Sequence, residues 1–184
     1  MKNHLFASSR FVLRVFFAAF AFCLLLNANA FSQKSKNSGI TANTKAYTNF
    51  TGNFGGDERE IFALVNDERR KKRLSNLDWD DDLARVARKY SQQMAKGNFF
   101  GHFDGNGNGM EQRADAAKIS WTEIGENLFF CRGVEDFDTA AVKDWMKSPG
   151  HRQNILTKGW TDTGIGVAES RDGKIYITQL FIKR

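Results

Sequence analysis

The chain is poor in the residues that usually staple, bend or metallate a small domain. Its 184 residues include one proline, two cysteines and three histidines. Cys23 and His4 both fall in the first 30 residues. There Lys2, Arg10 and Arg14 precede or enter an apolar run, Phe11 to Leu26, that closes on Asn27-Ala28-Asn29-Ala30. A basic start, an apolar middle and a small-residue Ala-x-Ala end predict a secretory signal peptide over residues 1–30, cleaved after Ala30. The run is short and interrupted for a membrane span, so an uncleaved anchor is the weaker alternative. Without this segment Cys131 stands alone, which excludes an internal disulfide and leaves the core to hold the fold. Any imidazole chemistry rests on His102 and His151. There is no His-Glu-x-x-His and no cysteine pair, which excludes the local zinc motifs. Charge of one sign is also scarce. The net charge of +6 falls to +3 once Lys2, Arg10 and Arg14 leave, because no acidic residue leaves with them. That is too mild for a nucleic-acid partner.

What is present reads as a leader and one domain. Residues 31–56 are rich in Ser, Asn, Thr, Gly and Lys with little apolar periodicity, and read as a flexible leader. Asn49-Phe50-Thr51 fits a glycosylation sequon, relevant only in a eukaryotic secretory pathway. The domain, residues 57–184, opens with a helix. Asp57 and Glu58 suit its N-terminus, and Ile61, Leu64 and Val65 form its apolar face. Its basic end, residues 69–73, reads as a solvated helix terminus. Leu77 and Trp79 sit in a short loop. Asp80 or Asp81 caps a second helix with Leu83, Val86, Ala87, Tyr90 and Met94 inward and Gly97 as the residue just past its end. The Gly-Asn run of residues 105–109 is a surface loop that begins right after His102, and no Gly-Lys-Ser/Thr follows to make it a phosphate loop. Met110 to Lys118 reads as a short helix with Arg113 in its middle.

Glu126 is the first anomaly. It interrupts an apolar stretch between Ile124 and Leu128, and a buried carboxylate there needs solvent, a cation or hydrogen-bond donors. Asp138 caps a helix over Thr139 to Lys147 that turns Ala141, Val142, Trp145 and Met146 inward. Pro149 ends it, since the residue before a proline is pushed out of the helical region. Pro149-Gly150 then reads as a turn, with His151 just past the corner. From residue 164 the period changes to two. Gly164 to Ala168 and Lys174 to Phe181 are strands of a hairpin, with the glycines allowing close backbone approach. Helices first and a hairpin last predict an α+β domain with helices packed on an antiparallel sheet.

His102, Glu126 and His151 lie about 25 residues apart, each at a loop or element end, so only the fold can unite them. The segments Gly-His-Phe-Asp (101–104), Arg113, Gly-Glu-Asn-Leu (125–128), Trp-Met-Lys-Ser-Pro-Gly-His-Arg-Gln-Asn-Ile-Leu (145–156), Gly-Ile-Gly-Val-Ala (164–168) and Tyr-Ile-Thr-Gln-Leu-Phe (176–181) resemble the CAP superfamily of cysteine-rich secretory, antigen 5 and pathogenesis-related 1 proteins. The nearest pattern is its bacterial secreted SCP-like type. The resemblance implies a three-layer α-β-α sandwich with a small antiparallel sheet. It also implies a cleft built from His102, Glu126 and His151, in which His102 and His151 bind a divalent cation such as Zn²⁺. Many family members carry a second glutamate where this chain has Ser148, which weakens any mechanism based on four residues. The expected role is a secreted, extracytoplasmic binding or interaction module. Its partner would be an extracellular protein, a lipid or a cell-envelope component, met without lasting membrane insertion. The alternatives are a metal-dependent hydrolase or protease using the same cleft, and a lipid or sterol binder. A Ser148–His151–Glu126 triad is disfavoured, because Ser148 sits beside a proline at a helix end. Cys131 reads as a small buried apolar residue.

Overall fold

A computed structural model describes residues 53–184. The expected signal peptide, and all of the leader but residues 53–56, lie outside the described residues. The element order is α1 (Gly55–Lys71), β1 (Asp78–Trp79), α2 (Asp81–Gly97), α3 (Met110–Ala116), β2 (Glu123–Arg132), α4 (Phe137–Lys147), α5 (Pro149–Leu156), β3 (Asp162–Glu169) and β4 (Lys174–Lys183). The four strands form one sheet in the order β1-β3-β4-β2. β4 pairs antiparallel with both β2 and β3, and β1 adds two residues parallel to β3. Helices cover both faces, giving the expected α+β sandwich.

The two-residue period of β4 sorts the core into two sides. Ile175, Ile177 and Phe181 pack with Ile61, Val65, Trp145 and Ile155 of α1, α4 and α5. Leu180 and Ile182 pack with Leu83, Val86 and Ala87 of α2, and Tyr176 joins Tyr90 and Met94. The glycines of β3 set the distance to α2. A Cβ on Gly164 would lie 2.2 Å from the backbone nitrogen of Ala84, and one on Gly166 would lie 2.0 Å from that of Arg88. The helix therefore rests directly on the strand backbone, as the sequence predicts.

Several local expectations are corrected. Arg69 does not belong to a solvated run; it is fully buried. Its Nε donates to Ser75 O, and its Nη1 donates to Ile155 O and Thr157 O, tying the end of α1 to the end of α5. Glu58 lies in the first turn of α1 as expected, and is also buried, accepting from Arg88 and from the Val167 backbone. Of the two expected caps of α2, Asp80 is the one used, accepting from Leu83 N at 2.7 Å. The left-handed residue that ends α2 is Asn98, at φ 49°, one position after Gly97. Leu77 is followed by a strand, since Asp78 and Trp79 are β1. α4 starts at Phe137, two residues earlier than expected, so Asp138 lies in its first turn and does not cap it. The stretch 123–132 around Glu126 is a ten-residue edge strand, which the acidic interruption hides from a reading of periodicity.

The Pro149 corner is tighter than a turn. Ser148 is extended (φ −82°, ψ 121°) and stands between two helices, ending α4 and preceding α5. Pro149 takes the first helical position of α5, where its missing N–H costs nothing. Gly150 is not in the left-handed region. His151 thus lies in the first turn of a helix and not in a loop.

Candidate functional site

The site is built around the outer edge of β2. On this strand the even-numbered side chains Ile124 and Leu128 face the α2 layer, while Phe129 and Cys131 pack on the α1, α4 and α5 side. Glu126 therefore points towards α2 and α3, with its side chain 1% exposed. Two partners answer its charge. His102, from the loop after α2, places Nδ1 2.8 Å from Glu126 Oε1. Arg113, from α3, pairs with Glu126 Oε2. Both carboxylate oxygens are thereby engaged.

Arg113, which no local sequence feature marks as a partner of Glu126, is the hub of this network. Its Nη1 donates to His102 O at 3.1 Å and to Asn108 O at 3.2 Å, fixing the loop that carries His102. Its guanidinium carbon lies 3.4 Å above the Tyr90 ring centroid. Tyr90 in turn donates its hydroxyl to Gly101 O, next to His102. Burial pushes the Tyr90 pKa up to about 12, against the opposing Arg113 charge. The Gly-Asn loop folds on Asp104, whose carboxylate accepts from the backbone N–H groups of Asn106 and Asn108 and from the Asn108 side-chain amide.

The third residue arrives from the opposite layer. The Asn127 side chain donates to His151 O at 3.2 Å, and the Asn154 side chain donates to Glu126 O at 3.0 Å and to Asn127 Oδ1 at 2.9 Å. These two asparagines clip α5 to the β2 edge at the level of Glu126. Trp160 donates to Asn154 O, and a Cβ on Gly125 would stand 2.9 Å from the Trp160 ring, so this clip needs glycine beside Glu126. His151 is half-buried, and its Nδ1 is buried with no hydrogen-bond partner. Burial first, then the nearby His102, lower its pKa below 6.5, while Asp144 opposes them. His151 is therefore a neutral imidazole at pH 7.

The fold thus unites Glu126 with His102 by a direct bond, and brings His151 within electrostatic reach of His102 from the other face. It does not assemble a Ser148–His151–Glu126 triad. No hydrogen bond joins Ser148 to His151, and both Glu126 oxygens are spent on His102 and Arg113. Among the described residues no group of three or more His, Cys, Asp and Glu side chains is arranged to hold a metal ion. Glu126 being engaged on both oxygens, His102 and His151 are the two imidazoles in this region. Cys131 is half-buried on the core side of β2, and burial pushes its thiol pKa up, which disfavours the nucleophilic thiolate.

A four-stranded sheet sandwiched between helices, with His102 and Arg113 on the edge-strand carboxylate Glu126 and His151 brought near from the opposite layer, defines the class. The cysteine-rich secretory protein (CAP) family matches residues 62–181, and the chain belongs to that family. Among curated proteins it is 35% identical over 127 residues to the uncharacterized membrane protein YlbC of Bacillus subtilis. It is 34% identical over 148 residues to YkwD of the same organism. These matches cover 69% and 80% of the chain but only 34% and 55% of the relatives, so the chain spans between a third and just over half of their length. Among solved structures it is similar to an extracellular protein containing a SCP domain from Bacillus anthracis. That match has 31% identity and a TM-score of 0.63, over 71% of this chain and 41% of that one. An outer surface protein of Borrelia burgdorferi shares the fold at 23% identity and a TM-score of 0.65, over 72% of this chain and 96% of that one.

Proposed function

We propose that the chain is a secreted binding module of the CAP family whose cleft at the β2 edge takes a divalent cation such as zinc on His102 and His151. The observation that carries this reading is the 2.8 Å contact between His102 Nδ1 and Glu126 Oε1. A buried carboxylate that accepts from Nδ1–H fixes the tautomer in which Nε2 keeps its lone pair for a ligand. Arg113 neutralises Glu126, so the carboxylate acts as an orienting group and not as a ligand or a free base. The partnerless Nδ1 of His151 and the lowered pKa of that ring supply a second imidazole, carried to the β2 edge by the opposite layer. A bound cation would contribute open coordination positions for an oxygen or nitrogen of an extracellular ligand. Secretion is supported by the signal pattern of residues 1–30 and by the extracellular B. anthracis relative, although YlbC is described as a membrane protein.

A lipid or sterol binder is the second reading. The observation for it is the exposed Phe100–Phe130 pair, with ring centroids 4.7 Å apart and Phe100 two residues before His102. Calorimetric titration of zinc into the protein, His102→Ala and His151→Ala separates the two. The metal cleft predicts binding that both substitutions abolish. Binding that survives in both variants, or none in the parent protein, removes it.

A further inference from the structure

α5 has a second face. His151, Asn154 and Ile155 turn towards β2 and the core, while Pro149, Arg152, Gln153 and Leu156 recur at the spacing of a single outward stripe. Together with Met146 and Lys147 at the end of α4, this stripe lines a concavity of about 510 Å³ in the corner between the two helices. Its floor is apolar, because Met146 and Leu156 are half-buried and both pack against the core. Its rim is cationic, because Lys147 and Arg152 are exposed.

The cations of this rim lack acidic partners. Lys147 and Arg152 form no ion pair among the described residues, and neither do their neighbours Lys143 and Lys158. Lys89 and Lys96 of α2 are also unpaired, so what marks this rim is that its unpaired cations border an apolar floor. α5 contains no acidic residue, so the positive end of its dipole, at Pro149, adds to the field. Asp144, the nearest acid on α4, acts on His151 and pairs with neither cation. The chain's own first 52 residues are not the missing counterpart, because they contain no aspartate or glutamate.

We infer that the α4–α5 corner is a docking groove for an acidic peptide segment of a partner protein, one that inserts an apolar side chain between flanking carboxylates. The charge complementarity calls for an anion, and the apolar floor distinguishes an amphipathic peptide from a bare polyanion. The recessed positions of Met146 and Leu156 suit an inserted side chain better than a flat lipid surface. The groove lies on the face of α5 that points away from the cleft, so it works independently of His102 and of any metal.

Fluorescence anisotropy with a labelled EELFEE peptide in low-salt buffer tests this. The expected result is saturable binding that Lys147→Glu combined with Arg152→Glu weakens by about tenfold or more. A control that combines Lys89→Glu with Lys96→Glu, two exposed and unpaired cations of α2, should stay within about twofold, as should His102→Ala. An EEGSEE peptide should bind at least about tenfold more weakly, since it leaves the apolar floor exposed. Absent binding, or binding unchanged in the Lys147/Arg152 variant, overturns the proposal. So does EEGSEE or inorganic polyphosphate binding as tightly as EELFEE, which would make the corner a general polyanion surface.

Discussion

Glu126 and Arg113 form an ion pair nearly closed to water, with side chains 1% and 8% exposed. Breaking such a pair from one side leaves an uncompensated charge in the interior, which costs about 3–5 kcal/mol. Arg113→Met should therefore destabilise the domain by about that much in urea unfolding at pH 7. Replacing both residues, as Arg113→Met with Glu126→Met, should recover most of the loss. A single Arg113→Met variant within about 1 kcal/mol of the parent would show that water reaches the pair.

Tyr90 gives an alkaline signature. Its folded pKa is about 12 against an ordinary 10.0, so the native state resists ionisation that the unfolded chain accepts. The stability it contributes is whole below pH 10 and is lost as the pH rises from there towards 12. Absorbance at 295 nm should show one tyrosine titrating late, or only as the protein unfolds. Tyr90→Phe should remove that late step and cost about 1 kcal/mol at pH 7 through the lost bond to Gly101 O. Simultaneous titration of every tyrosine near pH 10 would contradict the buried stack with Arg113.

His151 gives the acid counterpart. Its folded pKa is lowered from 6.5, chiefly by burial, so below pH 6.5 the unfolded chain takes a proton that the native state refuses. Stability should be intact above pH 6.5 and should fall as the pH drops through 6.5 towards the folded value. Thermal melts between pH 7 and 5 should show this loss, and His151→Gln should flatten it. A His151→Gln variant with an unchanged acid slope would place the titrating group elsewhere.

Much of this arrangement was legible in the sequence and part was not. Gly164 and Gly166 sit in an evident strand and pointed to close backbone approach there, and the element that approaches is α2. The motif segments around His102, Glu126 and His151 pointed to the family and to the α+β sandwich, and the structure joins His102 to Glu126. The β2 strand was hidden because Glu126 breaks its apolar pattern, and its partners Arg113 and His102 lie far off in sequence. A run of five cations, residues 69–73, has the pattern of a solvated surface, which hides the buried Arg69. Its real partners are the carbonyls of Ser75, Ile155 and Thr157, and nothing local marks them. Pro149-Gly150 looked like a turn, but proline is equally at home in the first position of a helix.

The packing of α2 on β3 predicts a steep penalty for the smallest possible change. Gly166→Ala places a methyl group 2.0 Å from the Arg88 backbone nitrogen, which only displacement of the helix can relieve. The cost should reach or exceed the upper end of the roughly 1–3 kcal/mol typical of overpacking. Gly133→Ala is a different case, since a Cβ there meets no neighbour and only its φ of 67° is strained. It should cost about 1–2 kcal/mol. Chemical denaturation of the two variants should rank them in that order, and the reverse order would contradict the direct contact between helix and strand.

The proposed metal site requires His102 and His151, carried by opposite layers, to share one cation at the β2 edge. Imidazole ¹⁵N NMR during a zinc titration reads this out ring by ring. The expected His102 ring is protonated at Nδ1 before zinc is added. The site also predicts that one nitrogen of each histidine shifts together as a single equivalent of zinc is bound. A His102 ring protonated at Nε2, or zinc that moves the signals of only one histidine, would contradict it.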